Sequence, residues 1–220
     1  MDSRRNVLAG LVGAGALSLV QQAHAQSGEG DPRITRRRPP GGLTRQEIQT
    51  ILRQGVDAAE ETLSGLRSVG GQARPTRMHV AVAARDGRFL DLASMEDAWV
   101  GSIDIAIAKA RTAAFFSSNE NALTSRVIGE LSEAHANDGS GGAGPLWGIW
   151  ASNQVGISGS SQFRNGIIVF PGGVPLYKNG VLVGGVGVSG DGVDQDEAVA
   201  FAAAAGFEPP PGIATLGFPD

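Results

Sequence analysis

The 220-residue chain has no cysteine, a single tyrosine, three histidines and three methionines, and only 5% of its residues are aromatic. Without cysteine it has no disulfide, no thiolate metal site and no thioether-linked prosthetic group. It must be held together by its core, for which its length is ample. No H-E-x-x-H pair and no G-x-S-x-G elbow occur, so two common hydrolase signatures are missing, although a Ser-His-Asp assembly of other spacing stays open. Basic excess is absent too. The formal net charge is -4, and a nucleic-acid-binding domain should carry a basic face. No internal repeat of fixed period is visible.

The first residues read as a targeting segment. Ser3-Arg4-Arg5-Asn6-Val7-Leu8 leads into an apolar run from Leu8 to Val20, and Ala23-His24-Ala25 is an A-x-A cleavage signature. The run falls short of the ~20 apolar residues that span a bilayer. Its paired arginines and weak, Gly- and Ala-rich character predict a twin-arginine export signal over residues 1–25, with a retained N-terminal anchor as the alternative. That places the protein in the periplasm or outside the cell. It also favours a cofactor, since this route carries folded proteins. Residues 26–42, with Arg33, Arg36, Arg37 and Arg38 among Gly and Pro, read as a disordered linker rather than a lipid-binding run. The folded domain is expected over 43–208 and a tail over 209–220.

The domain opens with a capping box, Thr44 and Glu47. Ile48, Ile51, Leu52, Val56, Ala59, Leu63 and Leu66 follow at helical spacing, predicting about six turns ending near Gly70-Gly71. Met78 to Ala84 alternates, with Met78, Val80 and Val82 on one face and His79, Ala81 and Ala83 on the other. Both faces are apolar apart from His79, as in a central strand. Asp86-Gly87 signals a hairpin into Arg88–Ser94. Ser102 is placed as the N-cap of a second helix, with Ile103, Ala106, Ile107, Ala110 and Ala114 as its buried stripe. A third helix is read over Leu123–Ala136. From Asn137 to Gly166 the chain loosens into Gly, Ser and Asn around Trp147 and Trp150, as in a functional loop or an interface element.

The stretch Phe170–Gly206 can be read in most detail. Asn179-Gly180 predicts a type I′ hairpin pairing Lys178 with Val181, Tyr177 with Leu182 and Leu176 with Val183. Tyr177, Leu182, Val186 and Val188 then share one face, and Leu176, Val181 and Val183 the other. Asp194 and Glu197 read as a second capping box, opening a helix that Gly206 ends. Gly185-Val-Gly-Val-Ser-Gly190 has the spacing of a dinucleotide fingerprint. The following Pro209-Pro210-Pro211 cannot supply the next central strand of a βαβ unit, so the glycines are read as room for a helix or ligand. Asp191, Asp194 and Asp196 do not match a calcium loop and are assigned to the negative first turn of a helix.

Two constellations could carry chemistry. His79 is either a hydrogen-bonded core residue or a ligand. Lys109 and Arg111, in an otherwise apolar helix, are either ion-paired or solvent-facing, or a basic pair that holds a carboxylate.

Ser102-Ile-Asp-Ile-Ala-Ile-Ala-Lys-Ala-Arg-Thr-Ala113, Phe170-Pro-Gly-Gly-Val-Pro-Leu-Tyr177 and Val186-Gly-Val-Ser-Gly-Asp-Gly-Val-Asp-Gln-Asp196 together resemble the GlcG/HbpS-like family, the haem-degrading HbpS-like domain, over about Leu43 to Phe207. Phe116-Ser-Ser-Asn119, Gly144-Pro-Leu-Trp147 and Leu176-Tyr-Lys-Asn-Gly180 resemble a longer, exported branch. The resemblance implies an α+β fold: a single profilin-like α/β sandwich whose antiparallel sheet, of about five strands, is flanked by helices. It also implies haem binding and a tendency to form homo-oligomers. The family supplies no catalytic motif to carry over, so enzymatic haem degradation rests on resemblance alone. With haem as cofactor, side-chain chemistry makes His79 the first candidate for the iron, with His135, Tyr177 and Met95 behind it. Lys109 and Arg111 are the candidates for the propionates. The site is expected where Pro171–Gly173 and Ser189–Gly192 meet the helix bearing that pair. The leading reading is an exported haem or tetrapyrrole carrier, scavenger or sensor accessory. The alternative is an oligomeric accessory module for an exported oxidoreductase, without a cofactor of its own.

Overall fold

The computed structural model describes residues 42–133, 146 and 166–219. Helix α1 (Arg45–Glu61) opens on the expected capping box. Thr44 Oγ1 accepts the Glu47 N–H at 3.2 Å, and Glu47 Oε2 accepts the Thr44 N–H at 2.7 Å. Ile51, Leu52, Gly55 and Ala59 form its buried face.

The helix stops well before the glycine pair. Thr62 turns extended, and the chain runs into β1 (Leu63–Val69) and β2 (Gln72–Pro75), an antiparallel pair turning at Gly70-Gly71. Leu63 and Leu66 keep helical spacing, yet they are 63% and 57% exposed, so a longer helix would have found no core for them. Gly65 lowers helical propensity further. Ser64 Oγ then accepts the N–H groups of Leu66 and Arg67, and Asp191 accepts the Ser64 hydroxyl and the Gly65 N–H. Local polar bonds of this kind compete directly with helix.

The central sheet contains β3 (His79–Ala84), β4 (Phe89–Ser94), β6 (Gly173–Lys178) and β7 (Val181–Ser189), in the order β4-β3-β7-β6 and antiparallel throughout. It is thus two hairpins joined through β3 and β7. The remaining strands form separate pairs: β1 with β2, and β5 (Asn121–Leu123) in parallel with β8 (Ala214–Leu216). The turn at Asn179-Gly180 has both φ angles positive, 52° and 76°, as its type requires.

The hairpin register agrees with expectation at Lys178–Val181 and Tyr177–Leu182, then slips. Leu176 pairs with Gly184, leaving Val183 as a bulge. Tyr177 and Leu182 therefore pack with Ala122 in a satellite cluster, while Val186 and Val188 lie with Leu176 and Val183 in the main core. The expected grouping of Val186 and Val188 with Tyr177 fails for this reason.

One sheet face (Met78, Val80, Val82, Val174, Leu176, Val186, Val188) packs on α1 and α4 (Val193–Ala203). The other face carries α2 (Ser102–Phe116), which begins after an N-cap at Gly101 rather than at Ser102. Gly185 and Gly187 present bare backbone to it. A Cβ on Gly187 would lie 2.1 Å from the Ala106 carbonyl oxygen, and one on Gly185 would lie 2.3 Å from that of Ala110. The glycine pattern serves close packing of a helix. α3 (Ser125–Glu133) begins two residues after the expected Leu123, which belongs to β5 instead, and residues 134–136 of the expected helix lie outside the described ones.

Gly187→Ala should therefore lower stability by about 1–3 kcal/mol or more, as overpacked cores do. Gly101→Ala, where a Cβ meets nothing within 4 Å, should change it by less than about 0.5 kcal/mol. Urea unfolding of both variants measures the difference, and equal midpoints would remove the packing argument.

Candidate functional site

The glycine-lined end of β6–β7 does meet the helix bearing Lys109, as expected, but the junction is filled. Lys109 Nζ donates to Asp196 Oδ2 at 2.6 Å and to the Val188 carbonyl at 2.9 Å. Both side chains are buried, at 1% and 3% exposure. Burial pushes the lysine below its usual range and the aspartate above its own, and each charge opposes the other's shift. Asp196 Oδ1 also accepts the Asp191 N–H at 3.1 Å. The pair joins α2, the end of β7 and the start of α4, and its ammonium is committed to that role. Arg111 is buried at 2% and lies over the Phe115 ring at 5.4 Å.

Asp194 and Glu197 do not form a capping box. The N-cap of α4 is Gly192, with no side-chain cap bond. Both carboxylates instead accept from Arg126 of α3, Glu197 from Nε at 2.6 Å and Asp194 from Nη2 at 2.7 Å. A planar guanidinium satisfies two carboxylates at once and ties two helices together.

His79 is 3% exposed at the start of β3. Its Nε2 lies 3.0 Å from the Trp99 carbonyl and its Nδ1 lies 2.9 Å from Ser94 Oγ. A carbonyl only accepts, so Nε2 carries the proton and Nδ1 accepts from the serine hydroxyl. Neither nitrogen has a lone pair free for a metal in this arrangement. The Tyr177 hydroxyl donates to the Ser118 carbonyl at 2.7 Å, and burial pushes its pKa up to about 12. It too is spoken for. His135, Trp147 and Trp150 lie outside the described residues. The structure thus does not gather His79, Lys109 and Tyr177 into one site: each closes a different contact between elements.

Open grooves lie elsewhere, one of them between α1 and the end of β4. A cavity of about 350 Å³ is lined by Gln49, Leu52, Arg53 and Val56 on the helix and Asp91, Leu92 and Ala93 on the strand. A second, of about 480 Å³, shares Val56 and adds Glu60, Arg77, Met95, Glu96 and Asp97. Gln49, Arg53, Val56 and Glu60 recur at helical spacing on one flank of α1, and the facing wall is the end of β4 with the residues that follow it. Val56, Ala93 and Met95 pack on the rim of the main core and give the groove an apolar floor. At its far end Arg67 holds Asp97, by the side chain at 2.9 Å and the carbonyl at 2.6 Å, and stacks 5.2 Å over Trp99. Sequence reasoning missed this groove, because helical periodicity reports the buried stripe of α1 and not its half-exposed flank. Among the described residues no cluster of three His, Asp or Glu could hold a metal ion, and no helix is long and apolar enough to cross a membrane.

The fold is that of an α+β sandwich with an antiparallel sheet between helical layers. The sequence pattern of the family described as haem degrading protein HbpS-like matches residues 44–205, and the chain belongs to that family. A protein of Citrobacter freundii, described as an uncharacterized 15.0 kDa protein in the dhaT-dhaS intergenic region, is 32% identical over 120 residues, covering 54% of this chain and 68% of that protein. Protein ORFY of Klebsiella pneumoniae superposes with a TM-score of 0.53 at 24% identity, covering 78% of this chain and 94% of its own. A PduOC:heme complex does so with a TM-score of 0.51 at 23% identity, covering 75% and 94%. At these identities the two structures share the fold with this chain.

Asp196→Asn leaves the Lys109 ammonium buried without a counter-charge and should cost about 3–5 kcal/mol. Replacing both partners, Lys109→Met with Asp196→Leu, should return most of that loss. Denaturant unfolding of the single and double variants checks this. A double variant as unstable as the single one would show that the charge is not the origin.

Proposed function

We propose that this protein is an exported haem- or tetrapyrrole-binding protein that acts as a carrier, scavenger or sensor accessory. The observation that carries the reading is family membership over residues 44–205. A relative of the same fold, PduOC, forms a complex with heme, which adds support. Export rests on Arg4-Arg5, the apolar run after it and Ala23-His24-Ala25. The buried ionisable groups Lys109 and Asp196 are engaged with each other. When bound, haem would supply the redox or ligand-sensing chemistry, and the protein would supply binding and selectivity.

A second reading, an oligomeric accessory module for an exported oxidoreductase, draws on exposed apolar side chains. Leu63, Leu66 and Val69 of β1, and Trp99 and Val100 before α2, are 46–79% exposed. Side chains of this kind suit a protein interface.

Haem titration of the full-length protein should give a saturable Soret shift at micromolar haem, and protein recovered from the periplasm of its producing cell should carry a visible chromophore. Absence of any shift would overturn the haem reading. Co-purification of an oxidoreductase with colourless protein would establish the second.

A further inference from the structure

We infer that Ser94 and His79 form a nucleophile–base pair, able to take the acyl group of a small activated ester and pass it to water. The inference stands apart from the haem reading and does not depend on it.

Ser94 ends the edge strand β4 and is exposed, whereas its cross-strand partner His79 is buried. The serine hydroxyl donates to His79 Nδ1 at 2.9 Å, and His79 Nε2–H donates to the Trp99 carbonyl at 3.0 Å. That carbonyl is fixed in turn, since it also accepts the Ser102 N–H at 2.9 Å where α2 begins. A nucleophile thus bonds a base, and the base bonds an orienting group, in the tautomer that lets Nδ1 receive the serine proton. The carbonyl stands where a triad has its carboxylate, holding the ring and accepting from the imidazolium that forms. Other hydroxyls in the chain bond differently. Thr76, Thr112, Ser117, Ser125 and Ser132 are buried, and each donates to a backbone carbonyl. Ser94 instead faces solvent, with its oxygen open to a substrate and its proton already aimed at a base.

The surroundings suit a small neutral ester. Leu92, on the same face of β4 as Ser94, packs with Ile103 of α2, and Trp99 and Val100 are exposed beside the helix start. Together they offer an apolar shelf for an acyl or aryl group. The N–H groups of Val100 and Gly101 donate to no other group among the described residues, and they stand at the positive end of the 15-residue α2. Donors of this kind favour the oxyanion formed when an ester carbonyl is attacked. Ser94 Oγ bonds to the acyl carbon as its proton passes to His79 Nδ1. The bond from that carbon to the ester oxygen breaks, and the departing oxygen takes the proton from Nδ1 to leave as an alcohol. Water then attacks the acyl-serine and gives a proton to Nδ1, and the serine oxygen leaves with it. One ester and one water yield one acid and one alcohol, with no other reactant.

The test treats the full-length protein with a fluorophosphonate probe, locates the label by peptide mass spectrometry, and follows p-nitrophenyl acetate hydrolysis in parallel. Wild type should carry the phosphonyl group on Ser94 and release p-nitrophenol in a burst. Ser94→Ala, at an exposed position, should lose both while circular-dichroism melting shows it folded. His79→Gln should slow labelling by about 100-fold or more. Should that variant unfold, Ser94→Cys carries the same test, since it places a single thiol in a chain that has none. An adjacent imidazole draws the thiol proton, so iodoacetamide at neutral pH should alkylate this thiol about tenfold faster than free cysteine. Unlabelled wild type overturns the pair. So does a label that persists in Ser94→Ala, a folded His79→Gln labelled at the wild-type rate, or a Ser94→Cys thiol as slow as free cysteine.

Discussion

The structure depends on the contact between two backbones. α2 can lie on the sheet only because β7 presents Gly185 and Gly187 to it, bringing the carbonyls of Ala106 and Ala110 where side chains would otherwise be. That approach carries Lys109 to the end of β7, where its ammonium finds the Val188 carbonyl and Asp196. The start of α4 is fixed by the same bond, and α1 packs on α4 and on the far side of the sheet. A buried ion pair adds little net stability over an apolar one of the same shape. Its value here is positional, since a misplaced α4 would strand two charges in the core.

The outcome is a division of labour among polar residues. His79, Lys109, Tyr177 and Arg126 each close one joint between elements, and their hydrogen-bonding capacity is used in doing so. The residues left with capacity to spare sit on the flank of α1 and the end of β4. Burial alone therefore misleads in this chain: a buried polar group is as good a sign of a joint as of a site.

Local signals were the legible ones. Asn179-Gly180 fixed a turn and two residue pairs, Thr44 with Glu47 fixed a helix start, and the two apolar faces of β3 marked it as central. Each depends on residues a few positions apart. The bulge at Val183 was not legible, because Gly184-Gly185 carries no side chain to mark a register, and the close approach of the Ala83 carbonyl to Gly184 comes from a strand about 100 positions away. The overrun of α1 has the same origin: Leu63 and Leu66 have helical spacing, but whether a core awaits them is a property of the whole fold. Lys109 and Asp196 are 87 positions apart, so their pairing has no local signature. The α1–β4 groove lies further from view still, built from the flanks of two elements whose buried faces alone had been read.

The β1–β2 hairpin has a consequence for how the molecule breathes. It belongs to neither helical layer, pairs among the described residues only with itself, and is clasped by Ser64 and Gly65 to Asp191 and by Arg67 to Asp97. β3 and β7, by contrast, have a strand on each side and a helix on each face. Amide exchange should divide accordingly, the hairpin giving up its protons in local openings and the two inner strands only when the whole domain unfolds. The Arg67 clasp stands beside the cavity that holds Met95, so hairpin opening would unlatch the outer wall of the groove and leave its floor intact.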